Sequence, residues 1–90
     1  MTVVARRVVV HGRVQGVFFR ETVRRRAYRA GVAGWVRNND DGSVEALFEG
    51  DPDDVEVMVR FAGIGPSGAY VESVDVEDVE PAELRGFEVR

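Results

Sequence analysis

Cysteine is absent from this sequence, and that absence excludes three kinds of chemistry at once. A chain without thiols forms no disulfide, holds no metal through thiolates and has no cysteine nucleophile. The one histidine, His11, follows a run of valines, a position typical of a buried or hydrogen-bonded strand residue rather than a catalytic one. Without cysteines or a pair of histidines, the sequence predicts no transition-metal site.

Lysine is absent as well, so all 12 basic residues are arginines. Because no lysine follows Gly12 or Gly16, the sequence lacks the phosphate-binding loop of nucleoside triphosphatases. Residues 63–68 have the glycine spacing of a dinucleotide-binding fingerprint, but they follow a predicted helix and precede a predicted strand. That order is the reverse of the context in which the fingerprint binds a dinucleotide, so we interpret the segment as a loop.

Long hydrophobic runs are also missing. No apolar stretch approaches the roughly 18 residues of a membrane-spanning helix, and the valines before His11 are too few for a signal peptide. We therefore expect a cytoplasmic protein with no membrane partner. A chain of 90 residues, 44% of them hydrophobic, has room for one domain, residues 1–90, built around a single core. We expect this domain to be a monomer.

Acidic residues are scarce in the first half of the chain, and basic residues are scarce in the second. Residues 1–45 contain nine arginines and four acidic residues, whereas residues 46–90 contain three arginines and twelve acidic residues. The positive half would attract a small anion, while the acidic half would repel a long phosphate backbone. We expect no nucleic acid partner and interpret the arginines of residues 24–29 as a solvated helix face.

Hydrophobic periodicity and turn signals divide the chain into alternating strands and helices. The predicted strands cover residues 2–11, 32–38, 43–49, 70–79 and 87–89, and the predicted helices cover residues 19–30 and 52–63. The valines of the first strand do not alternate with polar residues, so we expect that strand to be central and buried on both faces. In the third strand, Glu45 and Glu49 are expected to face water, and in the fourth Val74 and Val76 are expected to face inward.

The order of these elements predicts the fold class. Strand, helix, strand, strand, helix, strand, in segments of this length, is typical of an α+β protein with the ferredoxin-like βαββαβ sandwich. We expect an antiparallel sheet with both helices on one face and a short extra C-terminal strand at an edge. Asp41 and Gly42 predict a tight hairpin turn between the second and third strands.

The segment between the first strand and the first helix predicts an anion site. A chain that leaves a strand at Gly12, turns through Gly16 and enters a helix leaves backbone N–H groups unpaired at the positive end of the helix dipole. Arg20, in the first turn, can add a planar guanidinium suited to two oxygens of a phosphate or carboxylate. Two other interpretations remain open: the glycines can serve a turn only, and Arg20 can pair with Glu21 or another surface acid.

Asn38 is the polar residue that the second strand offers to the same region. It ends that strand just before the hairpin turn, so its carboxamide can approach the entrance of the first helix. A carboxamide has a donor and an acceptor and can hold a water molecule in a fixed direction without changing charge. The alternative is that Asn38 only supports the turn that contains Asp41 and Gly42.

These stretches resemble the acylphosphatases in content, order and spacing. Residues 12–20 read GRVQGVFFR, residues 34–38 read GWVRN, residues 41–45 read DGSVE, and residues 86–89 read GFEV, so the resemblance spans nearly the whole chain. It implies hydrolysis of acyl phosphates to a carboxylate and inorganic phosphate, with no metal and no cofactor. It also implies that Arg20 and Asn38 are the catalytic residues. The expected phosphate-binding residues are Gln15, Gly16, Val17, Phe18, Phe19 and Arg20.

Two other kinds of function are compatible with parts of the sequence. Acylphosphatase-like domains also occur as anion-recognising modules of larger proteins, for example where carbamoyl phosphate is handled in hydrogenase maturation. A ferredoxin-like RNA-binding domain would need exposed aromatic residues on its central strands, and residues 8–10 and 44–48 supply no such pair. We therefore expect an enzyme acting on a small acyl phosphate, with the anion-binding module as the alternative.

Overall fold

The first strand lies inside the sheet and pairs with a neighbour on each side. In the computed structural model, which describes residues 2–90, the sheet has five strands in the order β4-β1-β3-β2-β5. The strands are β1 (Val4–Arg13), β2 (Ala33–Asn38), β3 (Val44–Gly50), β4 (Tyr70–Val79) and β5 (Phe87–Val89). All neighbours pair antiparallel except β2 and β5, which pair parallel. The short terminal strand thus lies at an edge, as predicted, and makes the sheet mixed.

The helices begin and end where the sequence predicts, to within a residue. Helix α1 (Phe19–Ala30) ends at Gly31, whose left-handed backbone (φ 70°) lets its N–H reach the last carbonyls of the helix. Helix α2 (Pro52–Ile64) begins after Asp51, whose carboxylate accepts a hydrogen bond of 3.0 Å from the N–H of Asp53. It runs one residue beyond the predicted end at residue 63.

The core lies between one face of the sheet and the two helices. The side chains that fill it are Val8, Val10, Val36, Val44, Ala46 and Phe48 from the strands, Phe19, Val23 and Ala27 from α1, and Val55, Met58 and Ala62 from α2. Their spacing is two residues in the strands and three or four in the helices, as each element requires to bury one side. The ferredoxin-like α+β prediction is confirmed.

Strand β1 is not buried on both faces. Val8 and Val10 are buried against the helices, whereas Arg7, Val9 and His11 on the opposite face are only half-buried. Within residues 2–90 no helix covers that face, and polar side chains lie there beside Ala5 and Val9. His11 is hydrogen-bonded there, with its Nε2 atom 3.1 Å from Oδ2 of Asp75.

The prediction that Glu45 and Glu49 face water is wrong, because both are 4% exposed. The Glu45 carboxylate accepts hydrogen bonds from the guanidinium groups of Arg7 and Arg37. Burial alone would raise the pKa of Glu45, but those hydrogen bonds and the attraction of Arg7 outweigh it and lower the pKa. Glu49 accepts hydrogen bonds from two backbone N–H groups in the segment before β5.

Val76 also departs from prediction. Its strand partner is Val8 on the helix face, yet its side chain is 49% exposed, because β4 is an edge strand that the helices cover only in part. Val74, nearer the middle of the helix layer, packs against the core as predicted.

Gly34 allows two aromatic rings to meet across a strand. Phe48 of β3 and Phe87 of β5 are both paired with Gly34 of β2, and their rings stack with centroids 5.9 Å apart. The backbone of Gly34 has a φ of 143°, and a Cβ there would overlap the carbonyl oxygen of Leu47. A side chain at position 34 would therefore strain the ladder and separate the rings.

We expect Gly34→Ala to lower the free energy of unfolding by about 2–5 kcal/mol through backbone strain and overpacking. Urea denaturation followed by circular dichroism measures the change. Gly50→Ala is the matched control, because the nearest atoms to its added Cβ are 3.8 Å away and its φ is not positive. Equal losses in the two variants would contradict the close-approach role of Gly34.

Acid should weaken the fold through Glu45. A carboxyl whose pKa is lower in the folded than in the unfolded chain stabilises the fold above its unfolded pKa of about 4.3, and the gain disappears as pH falls through the folded pKa. Glu45→Gln removes this titration. Below pH ~4 we therefore expect the variant to lose less unfolding free energy than the wild type, by on the order of 1 kcal/mol. Denaturation curves between neutral and acidic pH check this. Glu80→Gln, at an exposed position, should leave the slope unchanged.

Candidate active site

Three strands have their carboxyl ends at the same end of the sheet. Strands β1 and β2 both pair antiparallel with β3, which lies between them, so they run in the same direction; β5 pairs parallel with β2. Val10, Val44 and Asn38 form one row across the sheet. Because residues in such a row share a face and both valines are buried, Asn38 points to the face on which α1 begins.

The loop between β1 and α1 enters the helix through left-handed backbone. Gly16 has a φ of 75° and Phe18 a φ of 58°, a conformation that costs a non-glycine residue energy and that concentrates at functional sites. Phe18 is the N-cap of α1, and no side chain among residues 2–90 caps the helix. Its carbonyl instead accepts hydrogen bonds from the N–H (3.0 Å) and hydroxyl (2.8 Å) of Thr22.

The backbone N–H groups at this helix entrance are free donors. Within residues 2–90, none of the N–H groups from Gln15 to Arg20 donates to another protein atom. They lie at the end of α1 that carries partial positive charge. Free N–H groups at a helix N-terminus form a ready binding site for a phosphate, sulfate or carboxylate.

A cavity of about 330 Å³ opens at this entrance. It is lined by Val14, Gly16, Phe18, Phe19, Arg20, Glu21, Asn38 and Val89. The structure thus brings Arg20 and Asn38 to one cavity with Gly16, Phe18 and Phe19. Of the residues predicted to bind phosphate, Gln15 and Val17 do not line it.

Arg20 is not neutralised by its sequence neighbour. The carboxylate of Glu21 accepts hydrogen bonds from Arg24, which lowers its pKa, and lies 3.6 Å from Arg25. Arg20 forms no ion pair with any described residue and donates only a long hydrogen bond, 3.4 Å, to the backbone oxygen of Arg90. The surface-pair interpretation of Arg20 is therefore wrong for the described part of the chain.

The side chain of Asn38 takes no part in closing the hairpin turn that follows it. The Nδ2 group of Asn39 donates to the hydroxyl of Ser43 (3.0 Å), and the N–H and hydroxyl of Ser43 donate to Asp41. These hydrogen bonds from Ser43 lower the pKa of Asp41. The Asn38 carboxamide makes no hydrogen bond to residues 2–90, so it is available to a molecule in the cavity.

Three residues that line the cavity were not predicted as site residues from the sequence. Val89 reaches it because β5 pairs parallel with β2, a contact between segments about 50 residues apart that no local pattern indicates. Val14 forms part of the apolar wall of the cavity, and its hydrophobicity alone did not indicate a place in the site. Glu21 could have been found as the acidic residue of the first helical turn.

Neither a membrane segment nor a cluster of metal ligands accompanies the cavity. Across residues 2–90, no helix is both long and apolar enough to cross a bilayer, and no three histidine or carboxylate side chains converge. The one carboxylate of the cavity, Glu21, already has guanidinium partners. The other polar groups are N–H donors, a guanidinium and a carboxamide, which together suit an anion.

Comparisons with known proteins identify the family of this chain. The family model described as Acylphosphatase matches residues 6–89. A curated acylphosphatase of Rubrobacter xylanophilus is 59% identical over 86 residues, which cover 93% of this chain and 77% of that protein. The solved structure of an acylphosphatase from Coxiella burnetii has a TM-score of 0.93 at 36% identity, covering 98% of this chain and 93% of that one.

A larger protein contains a similar unit. The crystal structure of full-length HypF in the phosphate- and nucleotide-bound form has a TM-score of 0.91 at 30% identity and covers 99% of this chain but 12% of that one. The family match and the high identity to relatives of similar length agree with the resemblance seen in the sequence. The chain belongs to the acylphosphatase family.

Proposed function

We propose that this chain hydrolyses acyl phosphates to a carboxylate and inorganic phosphate by direct attack of water, with Arg20 and Asn38 as its catalytic residues. The observation that carries the proposal is one small cavity that combines free backbone N–H groups, an unpaired guanidinium and an unbonded carboxamide. Such groups stabilise negative charge without having to reorganise during the reaction, which is the largest single contribution to catalysis in many enzymes.

In this mechanism the phosphoryl group sits at the positive end of α1. Its oxygens accept hydrogen bonds from the N–H groups between Gln15 and Arg20, and the guanidinium of Arg20 completes the shell. A phosphoryl group in transfer spreads its charge over three oxygens in a loose transition state. Fixed donors around these oxygens therefore stabilise the transition state more than the ground state. Gln15 and Val17 would contribute through their backbone only.

Asn38 would hold the attacking water in line with the leaving group. The amide oxygen accepts a hydrogen bond from that water and fixes its direction without a change of charge. The leaving group is a carboxylate, whose conjugate acid has a pKa of about 4, so it departs without a general acid. The proton released by water passes to a phosphate oxygen of the substrate.

The proposal includes a small-molecule substrate, a cytoplasmic location, a monomeric state and no nucleic acid partner. A cavity of about 330 Å³ is at the small end of ligand sites and suits a phosphoryl group with a short acyl chain. The edge strand β4 carries exposed acidic residues, Glu72, Asp75, Glu77 and Asp78, which would repel a phosphate backbone. Analytical ultracentrifugation of the purified chain tests the monomer.

The alternative is an anion-binding module without catalytic activity, and the family match and the identity to curated acylphosphatases favour the enzyme over it. The two functions differ in turnover. We expect the isolated chain to release inorganic phosphate from an aryl acyl phosphate in the presence of a chelator, because no step of the mechanism requires a metal. Saturable binding of phosphate in calorimetry without turnover would favour the module.

Arg20→Ala should weaken phosphate binding and turnover together, because the guanidinium contacts the phosphoryl group in both the bound and the transition state. We expect turnover to fall by about 10²–10³. Steady-state hydrolysis and inhibition by inorganic phosphate measure the two effects. Arg29→Ala, at the other end of the same helix, removes an equal charge away from the cavity and should change neither.

Asn38→Ala should lower turnover by a similar factor, about 10²–10³, while inhibition by phosphate stays largely unchanged, because the water-orienting group acts only in the reaction. The same two assays distinguish it from Arg20→Ala. Hydrolysis by Asn38→Ala at a near wild-type rate would rule out the water-positioning role.

A further inference from the structure

The side chain of Gln15 links the loop that enters α1 to the hairpin turn after β2. Its Nε2 group donates hydrogen bonds to the backbone oxygens of Asn39 (2.8 Å) and Ser43 (2.9 Å). Because both partners are carbonyl oxygens, only the NH₂ half of the amide fits there. The side chain is half-buried, so the hydrogen bonds are partly shielded from competing water.

This link begins where the sheet ladder ends. The pairing of β1 with β3 stops at Val10 and Val44, and β1 continues beside β4 alone. Past that point, Gln15 is the residue of the loop whose side chain bonds the hairpin. The loop carries the free N–H groups, and the hairpin carries Asn38 at its base.

The hairpin turn does not need Gln15 for its own closure. The N–H of Asn39 donates to the oxygen of Ser43 (2.9 Å), and the N–H of Gly42 donates to the oxygen of Asn39 (3.2 Å). Gln15 is thus the second donor to each of these carbonyl oxygens, which have two lone pairs. It joins the loop to a hairpin that is already closed by its own hydrogen bonds.

We propose that Gln15 is a positioning residue, whose side chain fixes the distance between the phosphate-binding N–H groups and the carboxamide of Asn38. The inference rests on the water-positioning role proposed for Asn38. Its consequence is that losing the link misaligns water and phosphoryl group while leaving the N–H groups in place. Misplacement by about 1 Å can lower a rate by roughly 10²-fold.

Gln15→Met keeps the length of the side chain and removes both donors. We expect kcat to fall about 10- to 100-fold with the inhibition constant of inorganic phosphate largely unchanged. Thr22→Val is the matched control: it removes one side-chain hydrogen bond to the backbone of the same loop, from Thr22 to Phe18, without touching the hairpin. Its kcat should stay within about 2-fold of wild type.

Combining Gln15→Met with Asn38→Ala tests whether Gln15 acts through Asn38. If it does, the double variant is no slower than Asn38→Ala alone, because there is no carboxamide left to align. Losses that multiply would overturn the inference and leave the proposed function standing. Retention of kcat in Gln15→Met, or a parallel loss of phosphate inhibition and kcat, would overturn it too.

The two proposals can fail separately. Near wild-type turnover in Asn38→Ala would overturn the catalytic role proposed for Asn38 and this inference with it, whereas the outcomes above overturn the inference alone. Should Gln15→Met fail to fold, as judged by circular dichroism, Gln15→Asn replaces it. That variant keeps the amide but is one methylene too short to reach both carbonyl oxygens, so the same loss of kcat is expected.

Discussion

The position of β3 between β1 and β2 is the constraint on which the site depends. Pairing antiparallel with both, it makes them run the same way and brings their carboxyl ends together. It also sets the face on which Asn38 lies, because a shift of one residue in register would turn that side chain away from α1. The buried side chains of β3, Val44, Ala46 and Phe48, hold this register. The geometry of the site therefore rests on core packing.

The two helices of the chain begin in opposite ways, and the contrast marks the site. At α2 an aspartate accepts a hydrogen bond from the first turn, the usual solution for N–H groups that lack a partner. At α1 the N-cap is Phe18, with a left-handed backbone and no side-chain oxygen to offer. A helix end that forgoes its cap and bends through an unfavourable conformation loses stability, and a bound anion would supply the missing acceptors.

Much of the fold could be predicted because its signals are local. The bounds of α1 follow from a periodic apolar face closed by Gly31, and the meeting of Asn38 with the helix entrance follows from strand direction. The errors involve partners far along the chain. The burial of Glu45 depends on guanidinium groups from two other strands, and that of Glu49 depends on the N–H groups of Ala82 and Leu84.

The same distinction between local and distant partners applies to the candidate site. Glycine placement and helix position predict where the free backbone donors and Arg20 lie, and the end of β2 predicts where Asn38 lies. The side-chain role of Gln15 and the contribution of Val89 could not, since each depends on where a distant segment packs. A residue type says what a side chain can bind, whereas only the fold says which partner it meets.

Charge balance around the first turn of α1 explains how the cavity stays positive beside an acidic residue. Side chains three or four residues apart on a helix face each other, whereas adjacent ones do not. Glu21 therefore pairs with Arg24 and Arg25 and leaves Arg20 free for the cavity. The hydrogen bond from Arg24 lowers the pKa of Glu21, which keeps that carboxylate ionised and unable to donate a proton. In the proposed reaction the leaving group is a carboxylate that needs no acid, so an ionised Glu21 would not hinder it, and Arg20 would keep its charge for the phosphoryl group.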